Sequence, residues 1–418
     1  MKKKTSFLFA SFLSFLILFT ILQEIPVFAL SDWNTQVINE KGARMGYGGI
    51  LPIVIDTNNY PHIAYSSPAY DTKVMYSSWN GSNWNTQKVG DGLVFSLVLD
   101  SNNRPHILFN GLRYAVWTGT NWLIELIDSS VPNGIGVLAL DSLNQPHAVY
   151  TDGRYLKYAN WTDNLNINIQ IIENYSETQY GIPSQVSLAF DSNNTPYIFY
   201  KSDCLKLATY NNLSWNIVKV ADNGTIGNLA LDSKGYPHVI YQESTIVADR
   251  LVYASWNGVN WNRQTVVLNA SFSSSGFLAL DHNDQPAICI VTYTLENETG
   301  GQNTQLLYTK LSYDTWNTQM INVSIPPLGP CYLAIDSNNN PHMSYLGLNK
   351  DAGFGLVHEP AYVMYSTTNE TLSSISSTTS WPGFIQCAAG IALIIFIIIA
   401  VFVIFYAKKL VFFKNKEL

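Results

Sequence analysis

Histidine recurs in one fixed context, directly after a proline, at five places in the sequence. These histidines are His62, His106, His147, His238 and His342. Imidazole is a common metal ligand, and a metal site needs three or four ligands around one point. Residues that recur at a repeat period are spaced around a molecule and do not converge. We therefore predict that these histidines hydrogen-bond to a nearby turn and that the chain holds no metal or other cofactor.

An aspartate stands six positions before each of these histidines, and two further repeats carry the aspartate alone. The seven are Asp56, Asp100, Asp141, Asp191, Asp232, Asp281 and Asp336. Hard oxygen ligands two residues apart suit calcium, but no bidentate acid follows at a loop-closing position. An aspartate side chain can instead hydrogen-bond the backbone two residues on and start a turn. We predict a structural turn at each of the seven.

Three arginines are the candidate ligand-binding residues, and they lie at or near the starts of predicted strands in separate repeats. They are Arg113, Arg154 and Arg250. Clustered arginines hold carboxylates well, and a glycosidase would add paired acidic side chains at the same point. Arg113, however, occupies a position that Lys157 and Lys206 fill in other repeats, as an ordinary solvated position does. No nucleophile or general acid can be named, so the sequence leans against an enzyme.

Tryptophans also follow the repeat, and their aromatic faces suit either sugar stacking or packing between repeats. Because they recur at the repeat period, we expect most of them to be core residues. They are Trp79, Trp84, Trp117, Trp122, Trp161, Trp215, Trp256, Trp261 and Trp316.

The aspartates and histidines belong to seven copies of one sequence motif, such as “LDSNNRPHILF” from Leu99, and the arginines and tryptophans lie between the copies. The aspartates fall 41 to 55 residues apart, which is the length of a four-stranded blade. Short segments of alternating pattern, rich in β-branched and aromatic residues, fill the rest of each unit. The residue three positions after the aspartate, asparagine in most copies, suits a hairpin loop, and the proline two positions later suits the first residue of a strand. The sequence predicts an all-β fold, a seven-bladed β-propeller of four-stranded antiparallel blades over residues 31–370.

The last unit lacks a fourth strand, and the chain begins with an orphan one. “DWNTQVI”, from Asp32 to Ile38, resembles “NWNTQKV”, from Asn83 to Val89, which closes the first unit. We predict that this N-terminal strand completes the last blade and closes the ring, which removes an open sheet edge.

The two ends of the chain read as targeting segments. Residues 1–29 have the lysines, apolar run and small-residue site of a signal peptide, with an uncleaved anchor as the alternative. A Ser/Thr-rich stalk (371–383) leads to an apolar run from Phe384 to Tyr406, and a lysine-bearing tail (407–418) follows. These features predict a transmembrane helix at 384–406, a cytoplasmic C-terminus and a single-pass protein of the plasma membrane with its N-terminal domain outside.

Composition fits an exported glycoprotein. Outside the two apolar ends the chain has 28 acidic and 16 basic residues, a formal charge of −12, which disfavours nucleic acid as a partner. Cys204, Cys289 and Cys331 can form one disulfide at most. Ten sequons are candidate glycosylation sites: Asn80, Asn160, Asn174, Asn193, Asn212, Asn223, Asn269, Asn297, Asn322 and Asn369.

The blade count, the D-x-N-x-x-P-H turn and the Trp-led fourth strand resemble the sialidase-like or BNR-like superfamily of propellers and the seven-bladed lectins. The resemblance implies architecture more than activity, because the S-x-D-x-G-x-T-W box of sialidases is missing. Long loops are predicted at 242–250, 294–305 and 346–360, all on one face. The stalk leaves the opposite face, so we expect the long loops to point away from the cell and to bind a glycan or protein ligand without catalysis. A divergent glycoside hydrolase or lyase, or a surface-coat protein, is the alternative.

Overall fold

The structure is a computed structural model that describes most of the predicted propeller. The described residues are 33–44, 50–68, 72–132, 134–162, 166–174, 186–211, 213–244, 249–268, 271–272, 276–295, 302–348 and 360–368. They belong to one compact unit, Leu30–Asn369. The predicted signal peptide, stalk, transmembrane segment and tail lie outside the described residues, among which no helix is long and apolar enough to span a membrane.

Seven antiparallel sheets form the fold, so the predicted all-β, seven-bladed propeller is confirmed. From the innermost strand outward, blades 1 to 3 are β2 (Ile53–Ile55), β3 (Pro61–Ser66), β4 (Lys73–Trp79), β5 (Trp84–Asp91); β6 (Val94–Leu99), β7 (Pro105–Phe109), β8 (Arg113–Trp117), β9 (Trp122–Leu126); and β10 (Ile135–Leu140), β11 (Pro146–Thr151), β12 (Tyr155–Asn160), β13 (Asn168–Asn174). Blades 4 and 5 are β14 (Val186–Phe190), β15 (Pro196–Lys201), β16 (Leu205–Tyr210), β17 (Trp215–Ala221); and β18 (Thr225–Leu231), β19 (Pro237–Ser244), β20 (Asp249–Trp256), β21 (Trp261–Leu268). Blades 6 and 7 are β22 (Ser271–Phe272) and β23 (Phe277–Leu280) beside β24 (Pro286–Leu295), β25 (Gln302–Ser312), β26 (Thr315–Ile321); and β27 (Pro327–Ile335), β28 (Pro341–Gly347), β29 (Pro360–Thr367), β1 (Asn34–Arg44).

The hydrophobic core lies between blades. Each of seven apolar clusters joins side chains of two neighbouring blades, and the innermost strand β2 contacts both β6 and β27, which closes the circle. Second strands such as β7 are buried at every residue, whereas outermost strands such as β5 are half exposed. Innermost strands such as β14 are partly buried, so burial is greatest at the second strand of each blade and lowest at the outermost one.

The N-terminal strand completes the last blade, as predicted. β1 pairs antiparallel with β29, and Val37 lies opposite Met364. Trp33 packs edge-on against Tyr308 of blade 6, with ring centroids 5.4 Å apart. On the other side, the Nε1–H of Trp84 in blade 1 donates to Oε1 of Gln36 at 3.3 Å. The two distant ends of the propeller unit thus share one sheet and bind both flanking blades.

Each repeat aspartate lies in a tight turn between the first two strands of its blade. In blade 2, Oδ1 of Asp100 accepts the backbone N–H groups of Asn102 at 2.9 Å and Arg104 at 2.8 Å. The residue three positions after the aspartate has φ between 60° and 65° in six blades, and Gly235 has φ of 79° in blade 5. Asparagine, aspartate and glycine tolerate this left-handed conformation, which accounts for the residue types found there.

The same third-position side chains connect neighbouring turns. Each accepts the backbone N–H of the residue after the aspartate in the preceding blade, at 2.8–3.2 Å. The links are Asn103 to Thr57, Asn144 to Ser101, Asn194 to Ser142, Asp284 to Ser233, Asn339 to His282 and Asn59 to Ser337. Gly235 has no side chain with which to make the seventh link, to Ser192.

Strand direction gives the propeller two distinct faces. We call the side with the aspartate turns the turn face; it also carries the hairpins between third and fourth strands. The opposite side, the loop face, carries the loops between second and third strands and the connections between blades. Asn34 at the start of β1 lies opposite Thr367 at the end of β29, so the described propeller begins and ends at the turn face.

Candidate functional site

The recurring histidines are buried between an aspartate and a tyrosine of their own blade. In all five blades the histidine Nε2 lies 3.4–3.7 Å from the turn aspartate Oδ2. The histidine Nδ1 lies within hydrogen-bond distance of a third-strand tyrosine hydroxyl, as in His147 and Tyr158 at 2.6 Å. The other pairs are His62 with Tyr76, His106 with Tyr114, His238 with Tyr253 and His342 with Tyr365.

This environment favours neutral imidazole. Burial lowers the pKa of His62, His147 and His238, although the neighbouring aspartate acts in the opposite direction. Burial also raises the pKa of Tyr253 to about 12. Among the described residues no three or more histidine, cysteine, aspartate or glutamate side chains are grouped to hold a metal ion. Each histidine contacts the turn aspartate of its own blade, so these contacts hold the turn against the third strand.

Blades 4 and 6 depart from this arrangement in different ways. In blade 4, Tyr197 takes the histidine position, and Leu207 takes the place of the third-strand tyrosine. In blade 6, Ala287 replaces the histidine, and Nζ of Lys310 on the facing strand lies 3.3 Å from Oδ2 of Asp281. Blade 6 keeps the third-strand tyrosine, Tyr308 opposite Cys289, and this ring contacts Trp33, so the tyrosine is retained where the histidine is not.

Six tryptophans pack between blades, each edge-on against a tyrosine of the preceding blade, whereas Trp79, Trp117 and Trp256 pack against the fourth-strand tryptophan of their own blade. The ring centroids are 5.2–5.5 Å apart in Trp84–Tyr365, Trp122–Tyr76, Trp161–Tyr114, Trp215–Tyr158, Trp316–Tyr253 and Trp33–Tyr308. Trp161 is an exception to the predicted Trp-led fourth strand, because it lies in the turn before β13. These rings form core contacts and not an array of exposed sugar platforms.

The predicted ligand-binding arginines all lie on the loop face, but in separate blades. Arg113 donates to the carbonyl oxygen of Asn110 at 3.1 Å, and Arg154 lies over the ring of Tyr155 with 5.1 Å to the centroid. Arg250 pairs with Glu243, its Nη2 lying 2.7 Å from Oε2. Each arginine is thus held within its own blade, in blades 2, 3 and 5.

The loop face is asymmetric because the hairpin between the second and third strands projects to different heights in different blades. We call this difference in height the step. The ladder between second and third strands has four residue pairs in blade 2, five in blades 3 and 4, seven in blade 5 and nine in blade 6. Five extra pairs at about 3.3 Å per residue raise the hairpin of blade 6 roughly 15 Å above that of blade 2. We call this β24–β25 hairpin the wall.

Part of the predicted loop at 294–305 is therefore strand, since β24 and β25 pair as far as Leu295 and Gln302. The short strand β22 pairs with Tyr293 and Thr292 at the base of the projecting part. Residues 245–248 and 349–359, within the other two predicted long loops, lie outside the described residues.

Opposite the wall, blades 2 to 4 end in three-residue turns, 110–112, 152–154 and 202–204, which we call the shelf. A cation follows each turn at one equivalent strand position: Arg113, Lys157 and Lys206. Lys206 pairs with Glu173 at 2.6 Å and with Asp203 at 2.7 Å.

The most enclosed polar group of the shelf surrounds Lys157. Its Nζ lies 2.7 Å from Oδ2 of Asp152 and 3.5 Å from Oδ2 of Asp128, and the three side chains are 10–19% exposed. Tyr150 donates its hydroxyl to Asp128 at 2.9 Å. Burial and the adjacent carboxylates raise the pKa of Tyr150, which makes it a poor general base. Sequence reasoning missed this group, because Asp128 comes from a connection between blades with no repeated position.

The candidate glycosylation sites are spread over both faces. Among the described sequons, Asn80, Asn174, Asn193, Asn223 and Asn322 are exposed and Asn160 is half-buried. Asn212, Asn269, Asn297 and Asn369 lie outside the described residues.

Comparison with known proteins supports the fold and does not assign a family. No protein-family model matches the sequence, and no curated protein matches it by sequence. Among solved structures, the Cps50 (Swd1) β-propeller domain of Myceliophteria thermophila is 9% identical, with a TM-score of 0.50 over 80% of this chain and 99% of that one. An ulvan lyase of polysaccharide lyase family PL25, bound to -[GlcA(1-4)Rha3S]-, is 12% identical, with a TM-score of 0.53 over 84% of this chain and 99% of that one. At these identities the likeness is one of architecture.

Proposed function

We propose that this chain is a membrane-anchored cell-surface protein whose propeller binds a glycan or protein ligand on the loop face without catalysing a reaction. The observation that carries the proposal is the step between the shelf and the wall. Departure from sevenfold symmetry on one face, built on a rigid scaffold, is typical of binding surfaces. The turn face keeps its symmetry in six of seven links between turns.

The paired charges of the loop face favour binding over catalysis. Lys157, Lys206 and Arg250 pair with acids in their own or the adjoining blade, and no pair of carboxylates faces a shared arginine among the contacts described above. A hydrolase or lyase would need such convergence. The likeness to the ulvan lyase is the argument for a polysaccharide ligand. Membership of the sialidase-like superfamily or of the seven-bladed lectins remains part of this proposal, on the strength of the repeat turn.

Anchoring through residues 384–406 and export by residues 1–29 complete the proposal. Because the propeller ends at the turn face, a tether that continues from there would hold the loop face away from the membrane. The ten sequons and the formal charge of −12 suit an extracellular protein.

A glycan-array screen of the ectodomain, residues 30–370, tests this function. We expect specific binding to an acidic or neutral polysaccharide fragment, with no product released. The matched variant replaces residues 293–304 with Asn-Gly, which closes the wall hairpin early with a two-residue turn. It should keep the near-UV spectrum of the parent and lose the ligand. Retained binding by the shortened variant, or turnover of the bound glycan, would refute the proposal.

A further inference from the structure

Two of the three cysteines outside the apolar ends of the chain lie in the core between blades 6 and 7. Cys289 is on β24, the second strand of blade 6, and Cys331 is on β27, the first strand of blade 7, and these two strands contact each other. Both side chains belong to one apolar cluster, with exposures of 0% and 2%, and both are free thiols in the structure. The interface therefore holds two buried thiols in one cluster.

The repeat shows that the two cysteine positions face each other across blade interfaces. One is the third residue after the repeat proline, and the other is the fifth residue before the repeat aspartate of the next blade. Between blades 7 and 1 these positions hold Ser344 and Leu51, and Oγ of Ser344 donates to the carbonyl oxygen of Leu51 at 2.5 Å. Between blades 2 and 3 they hold Leu108 and Gly136, and a Cβ on Gly136 would lie 3.3 Å from Cδ2 of Leu108.

The contacts around the two cysteines agree with this equivalence. Burial raises the pKa of the Cys331 thiol, and its interaction with the Cys289 thiol raises it further. Phe277, the cross-strand partner of Cys289, packs against Tyr332, which follows Cys331, with ring centroids 5.1 Å apart. The two thiols are therefore direct neighbours across the interface.

We propose that Cys289 and Cys331 form a disulfide that joins blade 6 to blade 7 in the exported protein. This inference rests on the proposed export, because disulfides form and persist in oxidising compartments. Buried cysteines also act as small apolar residues. At this pair of positions, however, other interfaces use serine with leucine or leucine with glycine, so packing does not require cysteine on both strands.

The bond would form by thiol–disulfide exchange with a small-molecule or protein disulfide. The thiolate of one cysteine attacks that disulfide and releases one thiol, and the thiolate of the other cysteine then attacks the mixed disulfide and releases the second thiol. The pair loses two protons and two electrons, and the oxidant is reduced to two thiols. Since both side chains are buried in the folded chain, we expect the exchange to occur before blades 6 and 7 pack together.

Cys204 is the remaining cysteine of the propeller and provides an internal control. It lies half-buried in the shelf turn of blade 4, and its charged neighbours are Asp203, Lys206 and Lys219. Blade 4 is separated from blade 6 by blade 5. We therefore expect Cys204 to stay outside the disulfide.

Peptide mapping of the full chain, isolated from its native cells, tests the pairing. Free thiols are alkylated in denaturant, glycans are removed, and the chain is cut with trypsin without reduction. We expect peptides 264–310 and 311–350 to stay joined until a reductant is added, and Cys204 and Cys387 to be alkylated.

The full chain refolded from denaturant in detergent and a glutathione redox buffer is mapped in parallel. Alkylated Cys289 and Cys331 in this refolded sample would overturn the proposed disulfide, wherever the protein resides. Pairing in the refolded chain combined with free thiols in the chain from cells would support the contact and would instead refute the proposed export.

Urea unfolding of the full chain with and without dithiothreitol tests what the link does. Reduction should lower the midpoint by about 1 M, because a disulfide restricts the unfolded chain. Cys204→Ser should keep this dependence on the reductant, and the double variant Cys289→Ala with Cys331→Ala should lose it. Each comparison is made within one variant, so the effect of the substitutions on folding cancels. A parent midpoint that does not respond to reductant, or a double variant that keeps the shift, would overturn the proposal.

Discussion

Replacing one turn aspartate should destabilise the whole propeller. We choose Asp100 of blade 2, because its side chain is the most completely buried and hydrogen-bonds both the backbone and an arginine. The side chain of Asp100 is fully buried. Its Oδ1 accepts two backbone N–H groups, and its Oδ2 accepts Nε–H of Arg104 at 2.6 Å. Burial opposes ionisation, but these hydrogen bonds prevail, and the pKa of Asp100 is lowered. Asp100→Ala would leave two backbone donors without an acceptor in the turn.

The magnitude follows from the hydrogen bonds. Each bond to a charged acceptor contributes about 1.5–3 kcal/mol, so Asp100→Ala should cost roughly 3–5 kcal/mol. With an m-value of about 3 kcal/mol/M in urea, the midpoint should fall by about 1–1.7 M. Asp100→Asn is the matched control: its Oδ1 still accepts both N–H groups, while the charge facing Arg104 and His106 is lost. We expect about a third of the effect, since one of three charge-assisted contacts is removed outright.

Urea unfolding of residues 30–370, followed by tryptophan fluorescence and far-UV circular dichroism, measures both variants, and coincident curves justify a free-energy comparison. Asp91→Ala serves as a second control, because that carboxylate is an exposed partner of Lys73 and Lys88 and should leave the midpoint unchanged. If the urea midpoint of Asp100→Ala lies within about 0.3 M of the parent midpoint, the stabilising role assigned to the turns is refuted.

Further predictions concern closure, the missing link and acid stability. Deleting residues 30–44 should convert the ectodomain from a monodisperse species to aggregates in size-exclusion chromatography, because β29 would become an exposed sheet edge. Gly235→Asn should raise stability by about 0.5–1 kcal/mol, by offering Ser192 an acceptor and reducing unfolded-state freedom. Gly235→Ala places the same Cβ 3.2 Å from Asp191 Cβ but offers no acceptor, so it should not raise stability. His147 has a lowered pKa in the folded state, so the unfolded chain binds more protons below about pH 6.5. The stability that neutral His147 contributes should therefore be present above pH 6.5 and decline as pH falls, and urea midpoints from pH 7.5 to 5 should fall less steeply in His147→Gln.

The architecture was predictable because each repeat carries sequence signals for its own turn and strands. The left-handed position in the turn is visible as asparagine or glycine three residues after the aspartate, and the proline marks the next strand. The phrase “WNTQ” at both Trp33 and Trp84 identified the strand that closes the ring. Such signals work because hairpin geometry depends on residues close together in the sequence.

The candidate site was predicted less well, because its contacts join different blades. The alignment of Arg113 with Lys157 was visible, but the partner Asp128 comes from an irregular connection. The projecting hairpin was interpreted as a loop because Glu296 to Gly301 is polar and glycine-rich, although the flanking residues form strands. Nor does sequence spacing show that Asn103 accepts from Thr57, 46 residues earlier. Such contacts exist only once the blades are assembled.

The position of β29 has a mechanical consequence. This strand is the last described before the C-terminal segments, and it lies between β28 and β1 with ladders on both sides. Tension transmitted through residue 368 would act along the strand axis, so both ladders would be loaded in shear and many hydrogen bonds would have to rupture together. Had β29 been an edge strand, only one ladder would have resisted the pull. A propeller under tension at residue 368 would therefore resist extraction of β29, the strand to which the force is applied.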